Sequence, residues 1–276
     1  MKLKQVFLTL LCLVCLVGAG VCGWMLWQEW RPRREAEAVY DEIRSIAFSG
    51  GNDESQVTVT GDTGQDGEEN HNGEDLTEPG SSTTGVVRTG APDFKALKTW
   101  NPDILAWIWI PGTDIDYPVV KGADNEYYLN RTVDQRSSVI GSIFMEYRNR
   151  GDFQDDVTVL YGHHIKNGQM FSALSSYKEQ YFYEQHPKLM IYTPDQTYDV
   201  ELFAAQVVDS AATAFPLVFG DKADKVIWLA TVRASSSFQC DVRVGEQDRI
   251  LALCTCTFEY NDARYMVYGV LSAAEL

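Results

Sequence analysis

The chain has 276 residues, 39 acidic against 23 basic, for a formal net charge of −16. That length accommodates one domain on a single hydrophobic core with accessory segments. The acidic balance excludes a nucleic-acid partner, because phosphate binding needs clustered Lys and Arg, and the chain has no such cluster.

Residues 6–27 carry no charge. As a helix the run would reach about 33 Å, enough to cross a hydrocarbon core. It is predicted to be a transmembrane anchor, with residues 1–5 cytoplasmic and Trp24, Trp27 and Trp30 as an interfacial belt. A cleaved signal peptide is the rival, since Lys2 and Lys4 precede the run, but the run is longer than a usual signal core. Lys2 and Lys4 are balanced by Arg31, Arg33 and Arg34 on the far side, so flanking charge does not set the orientation.

Residues 28–48 are expected to form a juxtamembrane helix, with Ala36, Val39, Tyr40, Ile43, Ile46 and Ala47 at helical spacing. Residues 49–91 are rich in Gly, Thr, Asp and Glu and nearly devoid of large apolar side chains. They cannot bury enough surface to offset ordering and are predicted to be a flexible acidic linker. No EF-hand pattern occurs in them.

From residue 92 to 276 the composition is that of a folded domain. A helix is expected over 94–105, and strands over 106–110, 117–120, 142–146, 157–161, 188–193, 197–208, 249–257 and 264–271. Further helices are expected over 169–177 and 221–234. So many short strands imply a barrel or a sandwich.

Cys12, Cys15 and Cys22 lie in the apolar run, where a thiol is an ordinary helix residue. Cys240, Cys254 and Cys256 are odd in number, so at least one is free, which in an exported chain flags a reactive thiol. Their spacing with four histidines does not match a zinc site, and no metal or cofactor is expected. Cys256 ends a strand-like run, and His163 follows another strand after one glycine. Arg264 begins the next strand, beyond a polar turn that could return it beside the thiol. A thiol, an imidazole and a guanidinium suffice for acyl transfer: nucleophile, proton donor and oxyanion partner. Taken singly, each is more often a structural or surface residue.

Read as whole strings, these segments resemble a known family. Leu251-Ala252-Leu253-Cys254-Thr255-Cys256 resembles the T-L-x-T-C signature of sortases. The run from Tyr161 through Gly162, His163 and His164 to Phe171 is similar to the histidine segment of class B sortases. Similar class B strings occur at 107–113, 117–120, 124–129, 141–149 and 262–265, in family order and across nearly all of 92–276.

The resemblance implies a mainly β fold: a sortase-type eight-stranded β-barrel with peripheral helices, behind the N-terminal transmembrane helix. It implies an extracytoplasmic cysteine transpeptidase at the cell membrane that cleaves a C-terminal sorting motif of exported surface proteins. Cys256 would form a thioester at the motif's threonine, and an amine of a peptidoglycan precursor or a pilin lysine would resolve it. Catalytic roles carry over to Cys256, His163 and Arg264, with His164 supporting. Asn125, Leu129, Tyr161 and Cys254 match positions that line the peptide groove.

Two positions depart from the signature. Ala252 replaces its threonine, and Cys254 stands where a small residue is usual, on the same strand face as Cys256 and open to pairing with Cys240 on oxidation. A pilin-polymerising class C sortase is a rival reading, but 49–91 contains no Asp-Pro-aromatic plug. A papain-like protease is a weaker rival, since its catalytic Cys precedes its His whereas Cys256 follows His163. A catalytically inactive, membrane-tethered peptide-binding module is the alternative from outside the enzymes.

Overall fold

The computed structural model describes residues 2–49, 90–165, 168–209, 216–257 and 262–274, with backbone alone for 2–6, 8–16 and 25–33. The expected linker therefore lies, from 50 to 89, outside the described residues.

Eight strands close a barrel in the order β1-β2-β3-β4-β7-β8-β6-β5. They are β1 Ile104–Trp109, β2 Asp116–Val120, β3 Ile143–Met145, β4 Val157–Tyr161, β5 Lys188–Tyr192, β6 Thr197–Asp209, β7 Arg249–Cys256 and β8 Ala263–Ala273. Most neighbours are antiparallel, but β2 with β3 and β4 with β7 run parallel. The barrel choice left open by strand counting is settled by β1, which pairs with both β2 and β5 and leaves no free edge.

Alternation along β7 sorts its side chains. Leu251 and Leu253 point into the main core, while Ile250, Ala252 and Cys254 join a second apolar cluster on the outer face. Helix α4, Lys222–Ala234, covers that outer face with Leu229 and Val232, and Asp221 caps it by accepting from the Ala223 N–H. Cys256, two residues beyond Cys254, is half-buried.

Helix α1, Lys2–Phe48, continues through the whole expected anchor and juxtamembrane segments. Its last turns bury Ala36, Val39, Tyr40, Ile43 and Ala47 of the expected apolar face and leave Ile46 half-buried, each large side chain that is fully covered contributing roughly 2 kcal/mol. Arg44 Nε donates to Asp116 Oδ2 at 2.9 Å, and Asp116 also accepts from the buried Trp107 indole at 2.6 Å, so α1 is keyed onto β1 and β2. Among the described residues no helix is long and apolar enough to cross a membrane. Within 6–27, the side chains described are those of Phe7 and of 17–24, and all are exposed.

Two expectations are corrected. The helix expected over 94–105 is α2, Phe94–Trp100, and Ile104 already belongs to β1. Asn101 precedes Pro102 and is extended, at φ −144° and ψ 113°, as the proline ring requires. The helix expected over 169–177 is a 3₁₀ segment, Ser172–Lys178, because Met170 pairs with His164 in an antiparallel bridge; helix α3, Gln180–Gln185, follows it and was not foreseen.

Candidate active site

β7 and β8 form the hairpin that carries the thiol. Their register sets Cys256 directly opposite Arg264, Thr255 opposite Tyr265 and Cys254 opposite Met266, and the Thr257 N–H donates to the Ala263 carbonyl at 3.1 Å. Directly opposed residues on an antiparallel pair hold their Cβ atoms about 5 Å apart, so thiol and guanidinium share one face of the sheet. Met266 and Tyr268 lie in the outer cluster, which puts Arg264 on the outer face with Cys254 and Cys256. Arg264 is half-buried, and its Nη1 donates to the Ala263 carbonyl at 3.1 Å. Beneath the hairpin, Lys178 Nζ donates to Thr257 Oγ1 at 3.1 Å and lies 5.2 Å from the Tyr265 ring centroid.

The histidine arrives on the neighbouring strand. β4 runs parallel to β7 with Tyr161 beside Cys254, and the Gly162 N–H donates to the Cys254 carbonyl at 3.1 Å. Only glycine fits at 162, where a Cβ would lie 2.4 Å from Ile143 Cδ1 and 2.7 Å from Phe171 Cγ. That turn delivers His163 to the end of β7 that holds Cys256. His163 Nε2 lies 2.7 Å from the Leu129 carbonyl oxygen. A carbonyl only accepts, so Nε2 carries the proton, and in the neutral ring Nδ1 is the bare nitrogen.

The two thiols differ in kind. Burial pushes the Cys254 thiol up to about 12, although the nearby Arg264 guanidinium pulls it down and Cys256 pushes it further up. Cys254 is therefore a neutral, apolar wall. Cys240, Cys254 and Cys256 are all free, and the Cys240 thiol donates to the Phe203 carbonyl at 3.3 Å, so the pairing of Cys240 with Cys254 is not present in this structure.

The four expected groove residues separate. Tyr161 and Cys254 are neighbours across β4 and β7. Leu129 keeps a side chain 36% exposed, while its carbonyl receives the imidazole. Asn125 is engaged at both ends of its amide: Nδ2 donates to Glu146 Oε2 at 2.8 Å, and Oδ1 accepts from the Tyr147 N–H at 3.0 Å.

Glu146 is the residue that motif reading passed over. It is 1% exposed and accepts from Asn125, from the Tyr161 hydroxyl at 2.9 Å and from Arg148 Nε at 2.7 Å. The available signal was a lone carboxylate closing the apolar run Ile143, Phe144, Met145. Burial alone would raise its pKa, but hydrogen bonds from Arg148, Asn125 and Tyr161 together hold it below the usual glutamate value. A depressed carboxylate stabilises the fold above its ordinary pKa and loses that contribution as pH falls through the lower, folded value. Glu146→Gln should therefore melt below the parent at pH 7, by the equivalent of about 2 kcal/mol. The gap should close on acidification below about pH 4.5, the ordinary glutamate value. Thermal melts at pH 7 and pH 3.5 check this; a gap that is the same at both would show that the charge is not what holds the cluster.

The described residues hold no group of three or more His, Cys, Asp or Glu suited to a metal. A cysteine beside an arginine at a strand end, with an oriented imidazole on the adjacent parallel strand, is an arrangement for acyl transfer through a thioester.

Comparison with known proteins gives the same picture. The family model described as Sortase domain matches residues 108–272. Sortase B of Listeria monocytogenes is 33% identical over 193 residues, covering 69% of this chain and 78% of its own. The solved Staphylococcus aureus sortase B-substrate complex superposes with a TM-score of 0.63 at 32% identity, covering 66% of this chain and 85% of that one. A sortase B complexed with triglycine superposes with a TM-score of 0.61 at 31% identity, covering 66% and 86%.

Proposed function

This chain belongs to the sortase family, in class B, and is a cysteine transpeptidase of the kind that anchors surface proteins; from that premise we propose which residues carry the reaction and on what. The observation that carries the reading is the direct pairing of Cys256 with Arg264 at the β7–β8 hairpin.

The Cys256 thiolate attacks the carbonyl carbon of the threonine in a sorting motif, and the carbonyl oxygen takes up the charge beside the Arg264 guanidinium. The intermediate collapses, the C–N bond breaks, and the leaving amine takes a proton from imidazolium His163. An acceptor amine then attacks the thioester, returns a proton to His163 and expels the Cys256 thiolate. Tyr161, Asn125, the Leu129 side chain and Cys254 wall the peptide groove, with Glu146 bracing the first two.

The acceptor is an amine of a peptidoglycan precursor. The chain is held at the cell membrane by residues 6–27, with residues 92–276 outside. Exposed Phe7, Val17, Val21 and Trp24 on α1 support that anchor, since large apolar side chains on a helix are stable in lipid and costly in water.

The test uses the full chain in detergent micelles with a quenched library of sorting-motif peptides and two acceptors, triglycine and a lysine-bearing peptide. Peptide cleavage with transfer to triglycine is expected. Transfer to lysine alone would replace wall anchoring with pilin polymerisation. Absence of both cleavage and a trapped thioester across the library would leave a binding module. Release of the chain from membranes by alkaline carbonate would overturn the anchor.

A further inference from the structure

Helix α1 approaches the histidine from two sides. On one side, the Tyr40 hydroxyl, in a side chain 5% exposed, donates to the Gly141 carbonyl at 2.7 Å and lies 3.2 Å from the Ser142 hydroxyl. Ser142 binds the Tyr128–Arg131 stretch twice: its N–H donates to the Tyr128 carbonyl at 3.0 Å, and its hydroxyl donates to the Arg131 carbonyl at 2.8 Å. Between those two anchor points lies Leu129, whose carbonyl receives His163 Nε2–H.

Gly141 is wedged into the same contact. Its φ is +66°, and a Cβ there would lie 2.5 Å from the Leu129 carbonyl oxygen and 2.9 Å from His163 Cδ2. The backbone that Tyr40 holds is thus the backbone on which the imidazole and its acceptor rest. On the other side of the histidine, Gln169 Nε2 donates to Glu37 of α1 at 2.5 Å, and the Met170 N–H donates to the Tyr117 hydroxyl at 3.3 Å. Tyr117 meets Tyr40 edge to face, with ring centroids 5.3 Å apart. The Phe171 N–H closes the loop on the His163 carbonyl at 3.0 Å.

Packing alone would be served by phenylalanine at 40. A phenol here must be hydrogen-bonded to avoid the cost of a buried, unpaired hydroxyl, and its partners are the two residues that carry the histidine's support. Burial raises the Tyr40 pKa, so the hydroxyl remains a donor across the working pH range.

We propose that Tyr40 is a positioning residue for His163: its hydroxyl fixes Gly141 and Ser142, Ser142 fixes the Leu129 carbonyl, and that carbonyl fixes the tautomer and orientation of the imidazole. Docking of α1 is then a condition of activity, and the element proposed to hold the chain at the membrane also sets the acid–base group. The inference rests on the reading of His163 as the catalytic imidazole.

The chain has four histidines, so nitrogen-15 histidine labelling of the full chain in micelles gives a sparse spectrum, with His163 assigned from its loss in His163→Asn. In the parent the His163 ring should report protonated Nε2. Tyr40→Phe removes one hydroxyl and should move those signals towards a mixed tautomer. It should also lower kcat on the peptide selected by the library about tenfold, with KM within about twofold, as for a misaligned group. Ser142→Ala cuts the next link and should do the same, and the double variant should be little worse than either, because both break one chain.

Parent-like ring signals in Tyr40→Phe would overturn the proposal, and so would activity that falls only with the folded fraction on thermal melting. Should Tyr40→Phe fail to fold, Ser142→Ala decides by the same readouts. If His163→Asn keeps turnover, the catalytic reading itself fails, whatever the ring signals of Tyr40→Phe show.

Discussion

Cys256→Ala is expected to abolish both turnover and the acyl-enzyme adduct, while Cys254→Ala keeps the adduct and turnover within about tenfold of the parent. The two thiols lie on one face of β7, two residues apart, so position alone does not choose between them. Burial does. With its pKa pushed up to about 12 by burial, Cys254 stays a neutral thiol at pH 7, and only the thiolate attacks a carbonyl. Cys256 stands where the apolar cover under α4 ends, half-buried, beside Arg264 and at the end of the strand to which β4 brings His163. Intact-mass spectrometry after incubation with the sorting-motif peptide at pH 7 separates the cases. An adduct retained in Cys256→Ala and lost in Cys254→Ala would reverse the assignment.

Much of this site was legible because its parts are short and sequential. The strand ending in Cys256, the strand ending in Tyr161 and the turn back to Arg264 are visible as apolar runs with polar breaks. Alternation then fixes which side chains share a face, and it places Cys254 and Cys256 together from the residue order alone.

What could not be read is contact between distant segments. Glu146 acquires its role from Asn125, Tyr161 and Arg148, and two of those lie on other segments of the chain. Leu129 stood out as a side chain, yet its backbone carbonyl is what meets His163, and a carbonyl has no residue identity to read. The helical spacing of α1 predicted that Tyr40 would be buried, but not that its hydroxyl would reach across a hundred residues to Gly141. The overlong helix expected at 94–105 has a different origin. Pro102 was present in the sequence, and the restriction it places on Asn101 was enough to end the helix at Trp100.

Arg264→Gln is expected to slow acylation about 10²- to 10³-fold, the usual loss when a principal oxyanion partner is removed. Arg264→Lys should fall between that variant and the parent. Register places Cys256 and Arg264 directly opposite each other, so when the thiol attacks, the new charge forms beside the guanidinium. A guanidinium is planar with five N–H groups, and the one on Nη1 that meets the Ala263 carbonyl holds the group against its own strand. Lysine keeps the charge but loses that fork, so charge alone should restore only part of the rate. A purely structural arginine would behave differently, because its loss would lower the melting temperature and the yield of folded enzyme without changing the rate per folded site. Single-turnover acylation, normalised to Cys256 titrated by alkylation and identified by peptide mass, measures that rate per site. The field of Arg264 already reaches the neighbouring thiol, since it pulls the Cys254 pKa down against burial. A rate per site in Arg264→Gln within threefold of the parent would remove Arg264 from the transition state and leave the oxyanion to backbone donors.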